Sequence, residues 1–269
     1  MPPPERPPAV PDATADEAAP RPLAKRRVND IWLGRFERWA LPRMAAALPA
    51  WVTPDGLTAV AIAGALVSAV AYALAGDDLD WLWVASFGLV VHWWGDSLDG
   101  TVARVRQIRR ERYGFFVDHQ CDAVSAVALA VGMGAGSLMR MEVALAICVG
   151  VLMLMLLVNM VTIARDVFKI SFSGVGPTEL RLAAVALNTA AWAVGPREFV
   201  VAGRPWTLFD LVGAAVAALL AALYVVATVR ETRIIARLDP TPPPGQDGQA
   251  YDPTGQSRSP TVPPATDGR

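Results

Sequence analysis

Asp96, Asp99, Asp118 and Asp122 stand at the ends of two strongly apolar segments, where four carboxylates are costly to keep. On a helix, Asp99, Gly100 and Ala103 fall at i+3, i+4 and i+7 from Asp96, so they share its face. Asp118 and Asp122, at i and i+4, share a face of the next helix. Four anions cannot neutralise one another, and a pair of divalent cations is the economical partner. All-oxygen donors suit Mg²⁺, Mn²⁺ or Ca²⁺ rather than a soft metal, and no Cys/His cluster has zinc spacing. The polar loop between the two segments is short, so the helices are expected to be antiparallel neighbours whose aspartates converge at one end.

The elements that must position these groups are membrane helices. Of 269 residues, 54% are hydrophobic and 18% charged, too apolar for an ordinary soluble domain. Stretches of about 20 apolar residues occur at roughly 57–76, 80–103, 113–136, 141–164, 178–196 and 206–230. The expected fold is therefore an all-α integral membrane protein with six transmembrane helices over residues 51–238. An amphipathic interfacial helix within 25–50 is expected before them. Asn29 or Asp30 would cap it, Ile31, Trp32, Phe36 and Trp39 would share a face, and Pro42 should kink or end its first part. Packing of this helix on the protein is the alternative. The Pro-rich tail 1–24 and the polar tail 239–269 bury too little to offset ordering entropy, and disorder is expected for both.

Lys25, Arg26, Arg27, Arg35 and Arg38 precede the first span, and Arg104, Arg106, Arg109, Arg110 and Arg112 lie between the second and third. Arg165 and Lys169, then Arg230, Arg233 and Arg237, occupy the remaining connections on that side. By the positive-inside rule both tails and the aspartate cluster face the cytoplasm, in a bacterial plasma membrane rather than an organelle. No secretory leader is expected from the acidic, Pro-rich N-terminus. The net charge of −1 gives no basic face for nucleic acid, and Cys121 and Cys148 read as small apolar side chains.

Gly100, Ala103 and Gly114 would let a flat or phosphate-bearing ligand approach the backbone, although close helix packing uses small residues too. Asp96-x2-Asp99-Gly100-x2-Ala103-Arg104…Gly114-x3-Asp118-x3-Asp122 resembles the signature of the CDP-alcohol phosphotransferases, with eight specified positions over 27 residues. Nine residues separate Arg104 from Gly114, where that family more often has about eight, so no loop residue of 105–113 is carried over. The resemblance implies transfer of a phosphoalcohol group from a CDP-linked alcohol to the hydroxyl of an acceptor alcohol, releasing CMP, in phospholipid biosynthesis. It implies two Mg²⁺ or Mn²⁺ ions, one held by Asp96, Asp99 and Asp118, the other by Asp96, Asp118 and Asp122. Asp122 would also be the catalytic base, Gly100, Ala103 and Gly114 would make room for the nucleotide, and Arg104 would pair with a phosphate. A homodimer is implied as well.

Two further patches bear on substrate. Thr53-Pro54-Asp55-Gly56-Leu57-Thr58 resembles a Pro-Asn-x-x-Thr entry common in that family, with Asp55 in place of Asn, and so points Asp55 and Thr58 toward the nucleotide. A plain helix start explains most of that pattern. Glu179 and Arg181, in the first turns of the fifth span, are candidates for orienting the acceptor. His119 should point about 100° away from Asp118 and serve packing or support a metal ligand from behind, while His92, four residues before Asp96, is a candidate for the same supporting role. Asn159, Thr162 and Asn188 read as interhelical hydrogen-bond groups, and Gly132, Gly134 and Gly136 as a close-contact surface.

CDP-diacylglycerol is the expected donor. The rival within the family, a choline/ethanolamine-type enzyme using CDP-choline or CDP-ethanolamine with diacylglycerol, draws on the Asp118-His119-Gln120-Cys121-Asp122 stretch. A cation transporter would need acidic residues nearer the bilayer midplane and on several helices. An idle scaffold would leave the aspartates uncompensated.

Overall fold

A computed structural model describes residues 26–28, 34–165, 167–169, 177–201 and 203–240. Seven helices carry it: α1 (Gly34–Ala47), α2 (Pro54–Leu74), α3 (Trp81–Val105), α4 (Glu111–Ala135), α5 (Met141–Arg165), α6 (Pro177–Val194) and α7 (Leu208–Leu238). The six helices from α2 onward fall within a few residues of the six apolar stretches, except that α7 continues well past the expected end. By length and composition α2, α5 and α7 can cross a bilayer; α3, α4 and α6 are interrupted by polar side chains. Val70, Phe87, Ile163 and Val226 expose large apolar surface along the helices, which suits a lipid surround better than water.

Local chemistry starts the helices where they start. Thr53 caps α2, its hydroxyl accepting from the Gly56 amide at 3.0 Å, and Pro54 occupies the first turn. Thr207 and Asp210 form a reciprocal capping box on α7. Asp210 also accepts from the Arg140 amide at 2.7 Å, and the Thr207 hydroxyl donates to the Leu138 carbonyl at 2.8 Å. The cap thereby ties α7 to the α4–α5 turn.

Helix α2 is the centre. Gly64 lies against Gly88 and His92 of α3, and Gly95 lies against Leu57 and Ala61, so α2 and α3 run antiparallel in backbone contact. Gly132 of α4 sits on Ala69 and Gly136 on Ala73, so α2 and α4 run parallel. The expected pairing of α3 with α4 needs correction: the two are antiparallel, but they barely touch, because each spends its small-residue face on α2. Helices α1 and α6 pack on α3, and α5 then α7 continue from α4. Asn188 of α6 donates to Tyr72 of α2 and Ser86 of α3, at 3.0 Å each.

One core, around Leu41, Ala45, Leu57, Leu98 and Val102, lies at the aspartate end. The larger one, including Tyr72, Leu82, Leu138 and Phe209, lies at the other. Helix α1 uses both faces: Leu41 and Ala45 pack inward, while Phe36 and Trp39 are more than half exposed. It continues through Pro42 rather than ending there. Asn29, Asp30, Ile31 and Trp32, and both tails up to residue 24 and beyond 240, lie outside the described residues.

The all-α expectation omits two small strand pairs. β1 (Arg26–Val28) pairs in parallel with β2 (Val167–Lys169), and β3 (Glu198–Val201) forms an antiparallel hairpin with β4 (Arg204–Thr207). Runs of three or four residues leave too little alternation to be read from sequence.

Candidate active site

The site is built at the start of α2. Thr58, one turn into that helix, donates to Asp99 Oδ2 of α3 at 2.6 Å. Its hydroxyl also lies 3.2 Å from the Pro54 carbonyl, but one proton can serve only one strong bond, and the charged, closer acceptor takes it. The Gly100 amide donates to the other oxygen, Asp99 Oδ1. Asp99 is thus buried with both oxygens engaged.

Asp96, one turn earlier, accepts from Arg181 of α6, with Nη2 2.9 Å from Oδ2. The same nitrogen lies 2.9 Å from His92 Nε2, and His92 Nδ1 lies 3.0 Å from the Ala61 carbonyl. The α2–α4 register places the remaining pair. Continued about three and four turns back from Gly132 and Ala69, that register would bring Asp122 level with Ala59 and Asp118 level with Asp55. Asp96, Asp99 and Asp118 all act electrostatically on Asp122, with Arg181 opposing them. The aspartate pairs of α3 and α4 therefore lie toward the same end of α2.

The small residues divide into two kinds. A Cβ added at Gly64, Gly95 or Gly132 would meet backbone atoms at 2.2–2.7 Å, whereas one at Gly100 or Gly114 meets nothing within 4 Å. Packing requires the first group and leaves the second unexplained. Gly134 and Gly136 also make contacts within the chain, with Met141 and Ala73.

The other expected residues are distributed as follows. Ala103 is half-buried, and Arg104 lies along α3, donating to the Gly100 carbonyl at 3.2 Å and Thr101 Oγ1 at 3.0 Å. Asp55 faces outward and pairs with Arg110 of the α3–α4 loop at 2.9 Å. Glu179 is half-buried in the first turn of α6, where Thr178 donates to Glu37 of α1 at 2.6 Å. His119 serves its own helix: Nδ1 bonds the Phe115 carbonyl at 2.9 Å and the two rings lie 4.2 Å apart.

Sequence reasoning missed two features. Arg106 fastens the loop by donating to the Leu48 and Pro49 carbonyls at 3.0 and 2.9 Å. Glu231, almost fully buried on α7, forms an ion pair with Arg165 at the end of α5. A lone acid among Arg230, Arg233 and Arg237 was the available signal, but nothing in the sequence named its partner.

The four carboxylates are donors of the kind a hard divalent ion takes. The ligand sphere is not drawn closed. Among the described residues no three acidic, His or Cys groups stand together around one point; Asp96 is held by Arg181 and Asp99 by Thr58.

A helical bundle with bilayer-length apolar helices, and with aspartates at the end of α3 and in the first turns of α4, defines a membrane protein with a polar end. The chain belongs to the CDP-alcohol phosphatidyltransferase family, whose model matches residues 51–230. It is accordingly a transferase of phospholipid metabolism, in a family that generally depends on divalent metal. No curated relative matches the chain.

Proposed function

We propose that this protein transfers a phosphatidyl group from CDP-diacylglycerol to the hydroxyl of a second alcohol and releases CMP. Six helices would span a bacterial plasma membrane, with α1 at its interface and both termini and the site facing the cytoplasm. What supports this reading most is the hydrogen bond from Thr58 of α2 to Asp99, beside Gly100 and Gly114, which packing does not require.

Asp96, Asp99, Asp118 and Asp122 would hold two Mg²⁺ or Mn²⁺ ions, whose chemistry is to neutralise the diphosphate and the developing charge of the leaving group. Asp122 takes the acceptor's hydroxyl proton. The freed oxygen forms a bond to the phosphorus of the phosphatidyl group as the bond from that phosphorus to the bridging oxygen breaks, and that electron pair leaves with CMP. Thr58 fixes the orientation of Asp99 by its hydrogen bond. Gly100, Ala103 and Gly114 leave room for cytidine, and Arg104 pairs with a phosphate as a guanidinium fork. Glu179 and Arg181 stand at the acceptor side, Asp55 at the mouth, and a second copy of the chain completes a homodimer.

The test is CMP release from purified protein with Mg²⁺ or Mn²⁺, screening CDP-linked donors against a panel of alcohols. Asp118→Asn and Asp122→Asn, still folded, should abolish release. Full activity in either variant refutes the assignment, and a preference for CDP-choline or CDP-ethanolamine with diacylglycerol selects the rival chemistry.

A further inference from the structure

Arg181, His92 and Asp96 come from two helices and form a unit anchored on a third. The Arg181 side chain is largely buried, and its Nη2 touches Asp96 Oδ2 and His92 Nε2, each at 2.9 Å. His92 is buried, with Nδ1 3.0 Å from the Ala61 carbonyl. Partner logic fixes this ring. A carbonyl can only accept, so Nδ1 carries the hydrogen; a guanidinium can only donate, so Nε2 offers its lone pair. His92 is therefore neutral and held in one tautomer between α2 and α6.

That arrangement has a specific electrostatic result. A neutral imidazole holds the guanidinium in place without cancelling its charge, so the full charge is delivered to Asp96. A carboxylate at position 92 would instead divide it. A divalent ion bound to Asp96 would lie close to the guanidinium and be repelled by it.

We propose that Arg181, aimed by His92, is the resident counter-cation of the carboxylate site. It balances the charge of Asp96 while no metal is bound, and a divalent ion arriving at that carboxylate binds against its repulsion. Arg181 thus sets metal affinity rather than contributing to it, and it lets the bundle hold four neighbouring carboxylates before metal arrives. The inference rests on the divalent-metal reading of the four aspartates given above.

The experiment is Mn²⁺ titration of the purified full-length protein in detergent, read as loss of the free-ion electron paramagnetic resonance signal, with thermal melting of the metal-free protein alongside. Arg181→Gln should bind Mn²⁺ at least tenfold more tightly than the unsubstituted protein, and its metal-free form should melt lower. His92→Ala, which leaves the charge but removes its support, should shift both readouts the same way by about threefold in affinity, and decides the matter if Arg181→Gln does not accumulate. Equal or weaker Mn²⁺ binding in these folded variants overturns the inference. Asp118→Asn separates the two ideas. If it abolishes Mn²⁺ uptake while Arg181→Gln fails to strengthen it, the counter-cation assignment alone is wrong; if uptake ignores Asp118→Asn, the metal reading falls and this inference with it.

Discussion

Alanine at two glycines should have opposite consequences. At Gly132, the new Cβ would lie 2.2 Å from the Ala69 carbonyl oxygen and 2.6 Å from its Cα, both backbone atoms that no rotamer change can move. Restoring ordinary contact requires α2 and α4 to separate by about 1 Å, an overpacking that costs roughly 1–3 kcal/mol. For a chain of this size that is a fall of roughly 2–12 °C in melting temperature. At Gly100, on the carboxylate face of α3, a Cβ meets nothing within 4 Å. Replacing glycine inside a helix then recovers about 0.5–1 kcal/mol of backbone entropy, so the variant should melt at or slightly above the parent temperature. Its activity should fall nonetheless, because one methyl group intruding on a bound nucleotide costs about 1–3 kcal/mol, roughly 10- to 200-fold in kcat/KM for the CDP-linked donor. Both variants can be melted in detergent and assayed for CMP release. If Gly100→Ala melts as low as Gly132→Ala, the division of the glycines is wrong. If it keeps full kcat/KM, no ligand approaches that face.

Thr58→Val keeps the shape of the side chain and removes the hydrogen bond to Asp99; losing a bond to a charged group costs about 1.5–3 kcal/mol, so CMP release should drop by roughly 10- to 150-fold while Thr58→Ser stays near the parent. Removing one partner of the buried Arg165–Glu231 pair, as in Arg165→Met, should destabilise by about 3–5 kcal/mol; the double variant Arg165→Met/Glu231→Leu should recover most of the lost melting temperature. Asp210→Ala removes the acceptor for both the Thr207 and Arg140 amides and should cost about 1–3 kcal/mol, seen as a lower melting temperature with CMP release per folded molecule unchanged.

Much of the site was readable because helical periodicity is a property of sequence. The i, i+3 and i+4 spacings placed Asp96 with Asp99 and Asp118 with Asp122 on shared faces, and that required no knowledge of neighbours. The sense of His119 followed likewise, since a residue adjacent to Asp118 must point elsewhere on a helix. Which helix packs on which could not be read this way. Loop length suggested α3 against α4, yet small residues at Gly64, Gly88 and Gly95 on one side and Gly132 and Gly136 on the other give α2 the closer fit to both.

From its residues alone the chain declared its helices, the carboxylate faces and the family to which it belongs, because each depends on local spacing and hydropathy. Tertiary structure alone decided that Thr58 reaches Asp99, that Arg181 rests on Asp96 and His92, and that Glu231 answers Arg165. Those contacts span 41 to 89 residues of chain, and they arise from how helix surfaces fit together. Charge and hydrogen-bonding capacity are written in each residue, but the partner that satisfies them is chosen only when the backbones close to van der Waals distance.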